Sequence, residues 1–275
     1  SFVQANISQH DKWKPEQLEP SLNLYQTMTL QALKQGSSLI IWPEAAVPTY
    51  YQYANQFLDR IENQARPFDA ALITGIPTRN TYSDNAHNSV VAFGNASGVY
   101  HKQRLVPFGE YVPLVNLLGN LMAFFELPAS SMESGGADQA ALSIANWKAR
   151  PLICYEIVYP RLTAKAAKIS DALITISNDS WFGASLGPLQ HLQMAQMRAL
   201  ETGRYVLRGT GNGVSAVIDD KGRIVAESNQ FEQQLLTGEF YLTKNNTPWV
   251  SGGNIVFPLC LTFLGLMVSL QIRRS

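Results

Sequence analysis

Two cysteines, Cys154 and Cys260, are all the chain has, and they form neither a CxxC pair nor any metal-type spacing. A disulfide framework and a zinc ribbon are thereby excluded, and four scattered histidines do not supply a metal site. Charge is also scarce, with 15% charged residues against about a quarter in ordinary globular proteins. Lys plus Arg equals Asp plus Glu at 21 each, so there is no net positive footprint for nucleic acid. No signal-peptide pattern is read in the opening residues, and no internal repeat or low-complexity linker is expected along the chain. It starts at Ser1 directly in a strand-like stretch, so the expectation is the distal part of a longer protein. Low charge points to large buried or lipid-facing surfaces.

What is present is an alternation of strand-like and helix-like segments. Phe2 to Ile7 reads as a strand. Pro15 to Gln35 reads as a helix, opened by Pro15 and stopped by Gly36. Ser38 to Trp42 is an apolar strand, Asn55 to Arg66 a helix and Ala70 to Ile76 a strand. Ser89 to Phe93 and Val99 to Lys102 form a hairpin about the turn Asn95 to Gly98. Leu142 to Trp147 and Leu152 to Cys154 are expected to pair. Helices over Tyr159 to Ile169 and Pro188 to Thr202 flank a strand at Ala172 to Ser177. Tyr205 to Arg208, Ser215 to Ile218, Arg223 to Glu227 and Leu235 to Tyr241 add strands. The pattern is that of an α/β or α+β sandwich.

Two stretches are more apolar than this pattern needs. Leu114 to Leu127 has Leu114, Leu117, Leu118, Leu121 and Phe125 at helical spacing, with Phe124 adding to the load. It is shorter than the roughly 20 residues of a bilayer span, and reads either as a core helix or as a lid that dips into lipid. Ile255 to Ile272 has no charge until Arg273 and Arg274. It is expected to form a C-terminal transmembrane helix with the paired arginines cytoplasmic, the preceding chain on the other side and Cys260 packed within the run.

The chemistry-bearing residues fall at strand ends. Pro151-Leu152-Ile153 delivers Cys154 to the edge of a buried strand, where open α/β sheets bind ligands. Glu44 follows Ile40-Ile41-Trp42-Pro43, and Lys102 follows Val99-Tyr100-His101. A base, a cation and a thiol at the ends of three strands, 58 and 52 residues apart, form a set suited to covalent catalysis. His191 shares a helix with Met194 and Arg198 and reads as structural.

The motifs WPE (Trp42–Glu44), Lys102 followed by LVPFGEYVP (Leu105–Pro113), and CYE (Cys154–Glu156), in this order, resemble the nitrilase (carbon–nitrogen hydrolase) superfamily over about residues 1 to 245. ISNDSWFG (Ile176–Gly183), PLQHLQMAQMRALE (Pro188–Glu201) and NGVSAVID (Asn212–Asp219) make the chain look most like the bacterial apolipoprotein N-acyltransferases within it. The resemblance implies an α/β fold: a four-layer αββα sandwich over 1–250, with 251–275 as transmembrane helix and tail. It also implies an N-terminal membrane helix bundle that these residues do not include.

The implied activity is transfer of a fatty acyl group from a membrane phospholipid, through a Cys154 thioester, to the amino group of an apolipoprotein's lipid-modified N-terminal cysteine. Neither cofactor nor metal is implied. Glu44 would be the base. Lys102 and the backbone N–H of Tyr155 would hold the oxyanion. Glu110 would orient Lys102 or Glu44, and Glu156 would support the structure. Trp13, Phe124, Phe125, Trp181 and Phe182 are candidate acyl-chain contacts. The expected location is the bacterial inner membrane, with the catalytic domain periplasmic. The rivals are a nitrilase-type amidase acting on small C–N substrates and a non-catalytic membrane-anchored scaffold of the same fold. A Cys154–Cys260 disulfide would favour the scaffold.

Overall fold

A computed structural model describes residues 1–80, 85–111, 132–253 and 255–272. The first half runs β1 (Phe2–Gln4), α1 (Gln9–Lys12), α2 (Pro15–Lys34), β2 (Leu39–Ile41), α3 (Tyr51–Ala65), β3 (Ala71–Arg79), β4 (Ala86–Gly94) and β5 (Ala96–His101). The second runs β6 (Leu142–Ile144), β7 (Trp147–Ala149), β8 (Pro151–Ile153), α4 (Pro160–Lys168), β9 (Leu173–Ser177) and α5 (Gly187–Thr202). It closes with β10 (Val206–Thr210), β11 (Ala216–Ile218), β12 (Ile224–Glu227), β13 (Gln234–Leu236), α6 (Pro248–Gly252) and α7 (Val256–Ile272).

Among the described residues the strands form an eight-stranded sheet, β13-β1-β2-β3-β4-β5-β6-β7, and a five-stranded sheet, β12-β11-β10-β9-β8. Strands β1, β2 and β3 are parallel, as are β8, β9 and β10. Parallel neighbours need crossover connections, which α2 and α3 supply in the first sheet and α4 and α5 in the second.

The period-two alternation of each strand separates the layers. In β2, Leu39 and Ile41 enter the cluster shared by the two sheets, together with Ile73, Val90, Ile153, Ile174, Leu207 and Val217. Ile40 and Trp42 point the other way, onto Tyr25, Met28, Phe57 and Ile61 of α2 and α3. In the second sheet Leu152, Leu173 and Val206 turn outward onto Leu162, Leu192 and Ala199 of α4 and α5. The result is helix, sheet, sheet, helix, with about 1.5–3 kcal/mol contributed by each large aliphatic side chain buried.

The structure corrects three expectations. Leu142–Ile144 does not pair with the Cys154 strand. It forms a hairpin with Trp147–Ala149, and Pro151–Ile153 crosses to the other sheet, parallel to β9. The C-terminal run is a helix of 17 residues, Val256–Ile272, or about 26 Å at 1.5 Å per residue, against a hydrocarbon core of about 30 Å. Among the described residues no helix is long and apolar enough to cross a membrane, so the expected transmembrane span is not met. Cys260 is exposed on this helix rather than packed. The expected Leu114–Leu127 helix, with Phe124 and Phe125, and the pair Arg273–Arg274 lie outside the described residues.

Candidate active site

The site forms where β2, β5, β8 and β9 end. Strand β2 runs out through Trp42 and Pro43 to Glu44, and the chain turns at Ala45 with φ of 47°. This turn sits directly on β3. A Cβ at Gly75 would lie 2.6 Å from both the Glu44 Cα and the Pro43 carbonyl oxygen, so only glycine admits the approach.

The Glu44 carboxylate is buried and held from two sides. Asn88 Nδ2 donates to Oε1 at 2.7 Å, and the Asn178 backbone N–H donates to Oε2 at 2.8 Å. Lys102, 1% exposed, follows β5 and places Nζ 3.5 Å from Glu44 Oε1. The same Nζ lies 2.9 Å from Oε1 and 2.8 Å from Oε2 of Glu110. Asn88 Nδ2 also donates to Glu110 Oε1 at 2.7 Å, so one amide bridges the two carboxylates. The Val106 N–H donates to Glu110 Oε2 at 2.8 Å and fixes the loop beyond Lys102.

Cys154 is the first residue after β8, part-buried, with φ of 52°. Burial pushes its thiol up to about 12, Glu44 adding to the shift and Lys102 opposing it. Burial acts against the Lys102 ammonium, but the carboxylates of Glu44 and Glu110 oppose it and the group is held above its usual range. The resting pair is therefore a neutral thiol beside an ammonium, and forming a thiolate requires a base close by. Cys154 and Cys260 are both free.

Glu156 lies in the turn after Cys154 and is fully buried. Its Oε1 accepts from the Gln103 and Arg104 N–H groups at 2.7 and 3.0 Å, and its Oε2 from the Ile153 N–H at 2.8 Å. Tyr100 Oη adds contacts of 3.1 and 3.0 Å. Burial raises this carboxyl while the three backbone donors lower it, and the net shift is upward. The Tyr155 ring is exposed and stands edge-on to Tyr159 at 5.7 Å. Trp13, half exposed, ends α1, while Trp181, 75% exposed, and Phe182 lie in the turn Asp179–Phe182.

Two polar residues of the site escape a reading of the sequence. Asn88 sits inside β4, where nothing but its poor strand propensity marks it. Lys12 is buried, and its Nζ donates to the Glu44 carbonyl oxygen at 3.1 Å. Burial pulls that ammonium down to about 8, with Glu44 opposing. Among the described residues no group of three or more His, Cys, Asp or Glu is placed to hold a metal.

A thiol, an ammonium and a hydrogen-bonded carboxylate at the ends of β8, β5 and β2 can form and break an acyl thioester. The carbon–nitrogen hydrolase family model matches residues 1–244. The chain belongs to that family. It is 49% identical to the apolipoprotein N-acyltransferase of Azotobacter vinelandii over 251 residues, 90% of this chain and 48% of that protein. It is 47% identical to the apolipoprotein N-acyltransferase of Pseudomonas aeruginosa PAO1 over 281 residues, 99% of this chain and 55% of that protein. The chain thus spans about half the length of the curated relatives it matches.

Solved structures share the fold. Saccharomyces cerevisiae Nit3, of the nitrilase superfamily, superposes with a TM-score of 0.64 at 22% identity, covering 83% of this chain and 84% of that one. A carbon–nitrogen hydrolase from Helicobacter pylori G27 gives 0.60 at 16% identity, covering 94% and 90%. The nitrilase-like α/β sandwich is the fold of this chain.

Proposed function

We propose that the chain is the acyl-transfer unit of a bacterial apolipoprotein N-acyltransferase. It would move a fatty acyl group from a phospholipid to the N-terminal amine of a lipid-modified cysteine. The observation that carries the reading is the 47–49% identity to proteins of that name over at least nine-tenths of the chain. The site is consistent with the chemistry. Glu44 takes the proton of Cys154 Sγ as the sulfur attacks the ester carbonyl. Lys102 and the Tyr155 N–H hold the oxyanion. On collapse the ester C–O bond breaks, and the Glu44 proton goes to the leaving lysophospholipid hydroxyl.

In the second half the acceptor amine attacks the thioester. Glu44 takes an amine proton, the amide forms, and Cys154 leaves as a thiol. Glu110 fixes the Lys102 ammonium against Glu44, and Glu156 ties the Cys154 turn to residues 100–104. The exposed apolar helix Val256–Ile272 is a lipid contact in this reading, as are Trp13, Trp181 and Phe182. The proposed setting is the inner membrane with the catalytic unit on the periplasmic face, next to a membrane helix bundle that retains the lipid substrates.

The test uses phospholipid vesicles and a peptide whose N-terminal cysteine carries a diacylglyceryl group. The peptide is expected to gain one acyl group as an amide. Release of free fatty acid with the peptide unchanged, together with hydrolysis of small amides, would replace this reading with the amidase one.

A further inference from the structure

Cys154 has its backbone in the left-handed region, which L-residues with a side chain rarely adopt. Such a conformation persists only where the surroundings over-determine it. One part of those surroundings is a contact to its carbonyl. His191, buried on α5, places Nε2 3.1 Å from the Cys154 carbonyl oxygen. A carbonyl oxygen can only accept, so Nε2 carries the proton and donates.

The other side of the ring is fixed just as firmly. His191 Nδ1 lies 3.1 Å from Asp179 Oδ1 and 3.2 Å from Arg208 Nη2. Arg208 Nη2 in turn donates to Asp179 Oδ2 at 2.6 Å, and Ser177 Oγ donates to Asp179 Oδ1 at 2.6 Å. Asp179, His191, Arg208 and Ser177 are all buried. Burial raises the Asp179 carboxyl, but Arg208 and His191 overcome it and hold the group well below the usual carboxylate range. An ionised aspartate locked by an arginine leaves the imidazole one orientation, with Nε2 toward the nucleophile's peptide. The close packing continues behind it, where a Cβ at Gly213 would meet Asp179 Oδ2 at 2.5 Å.

We propose that His191, oriented by Asp179 and Arg208, is a positioning residue for Cys154. Its Nε2–H grips the Cys154 carbonyl and holds the peptide in the conformation that turns Sγ toward Glu44 and Lys102 and presents the Tyr155 N–H to the oxyanion. The inference rests on Cys154 being the nucleophile, as proposed above. It gives a positioning task to a histidine whose sequence context reads as plain helix core.

Two amide variants separate this task from simple packing. The amide nitrogen of His191→Gln falls near the place of Nε2 and keeps the donor to Cys154. That of His191→Asn falls near Nδ1, keeps the contact to Asp179 and loses the donor to Cys154. The rates of iodoacetamide modification of Cys154 and of its acylation by phospholipid are measured by intact mass, alongside the donor KM and a thermal melt. His191→Asn is expected to lose about 10²-fold in both rates, the cost of a misplacement of about 1 Å, with donor KM unchanged. His191→Gln is expected to retain most of both.

Equal losses in the two variants, tracking equal losses in melting temperature, would make His191 a core strut and overturn the proposal. A folded His191→Asn protein reacting at the wild-type rate would overturn it as well. Failure of the acyl-transfer reading shows differently. The wild-type protein would then take iodoacetamide on Cys154 but no acyl group from phospholipid, and the Gln–Asn contrast in alkylation would still report on positioning.

Discussion

Glu44 and Glu156 are the same residue type, both buried and both just beyond the end of a strand, yet their surroundings differ. Glu156 receives three backbone N–H donors and the Tyr100 hydroxyl, spread over both oxygens. A carboxylate has about four acceptor positions, so Glu156 is saturated by groups that cannot move. Glu44 receives Asn88 Nδ2 and the Asn178 N–H, with Lys102 at 3.5 Å. It keeps the capacity to accept a proton. The difference separates a carboxylate that holds the fold from one that can serve in chemistry.

Breaking the contrast at Glu44 should have the largest effect. Glu44→Gln should lower the rate of Cys154 acylation by about 10²–10⁴-fold, the usual worth of a positioned base, while the melting temperature changes little. A mass-resolved single turnover and a melt on one sample check this, and a Glu44→Gln enzyme at full rate would remove the base assignment. Next comes Lys102→Met, which should raise the acylation barrier by roughly 3–4 kcal/mol, as loss of an oxyanion donor does, and leave donor binding intact. Loss of donor affinity with an unchanged chemical rate would make Lys102 a binding residue instead.

Glu156→Gln should do the reverse of Glu44→Gln. An amide NH₂ would face N–H donors, costing about 1–3 kcal/mol of stability for a buried group left unpaired. Denaturant unfolding should show this loss, and an unchanged midpoint would contradict the strut assignment. The smallest effect is on pH dependence. Burial first, then Glu44, raises the Cys154 thiol to about 12, with Lys102 opposing. A raised acid stays protonated longer as pH rises. Alkylation by iodoacetamide should therefore keep accelerating above pH 9, where an ordinary thiol near 8.5 levels off. A plateau below pH 9 would show a thiolate already formed at rest.

Much of this arrangement is legible in the sequence because strand alternation and strand ends are local. Leu39 to Trp42 already divides its residues between two layers, and Glu44, Lys102 and Cys154 each stand where an apolar run stops. Partner choice is not local. Trp147–Ala149 and Pro151–Ile153 are three-residue strands separated only by Arg150, and nothing in their composition sends one to each sheet. Asn88 acquires its task only when the register of β4 and β5 brings it between Glu44 and Glu110. The left-handed turn at Cys154 leaves no trace in residue type, since glycine would be the residue expected there. The C-terminal run shows how little margin length leaves: 18 uncharged residues are described as a 17-residue helix, one turn short of the roughly 20 residues of a bilayer span.

The central claim is that Cys154 carries the acyl group. Its most direct measurement is intact mass and peptide mapping after incubation with phospholipid vesicles, on the wild-type protein, Cys154→Ala and Cys260→Ala. The account predicts one hydroxylamine-labile acyl group on the Cys154 peptide of the wild-type and Cys260→Ala proteins, and none on Cys154→Ala. An acyl adduct that persists in Cys154→Ala, or that maps to Cys260, would contradict it.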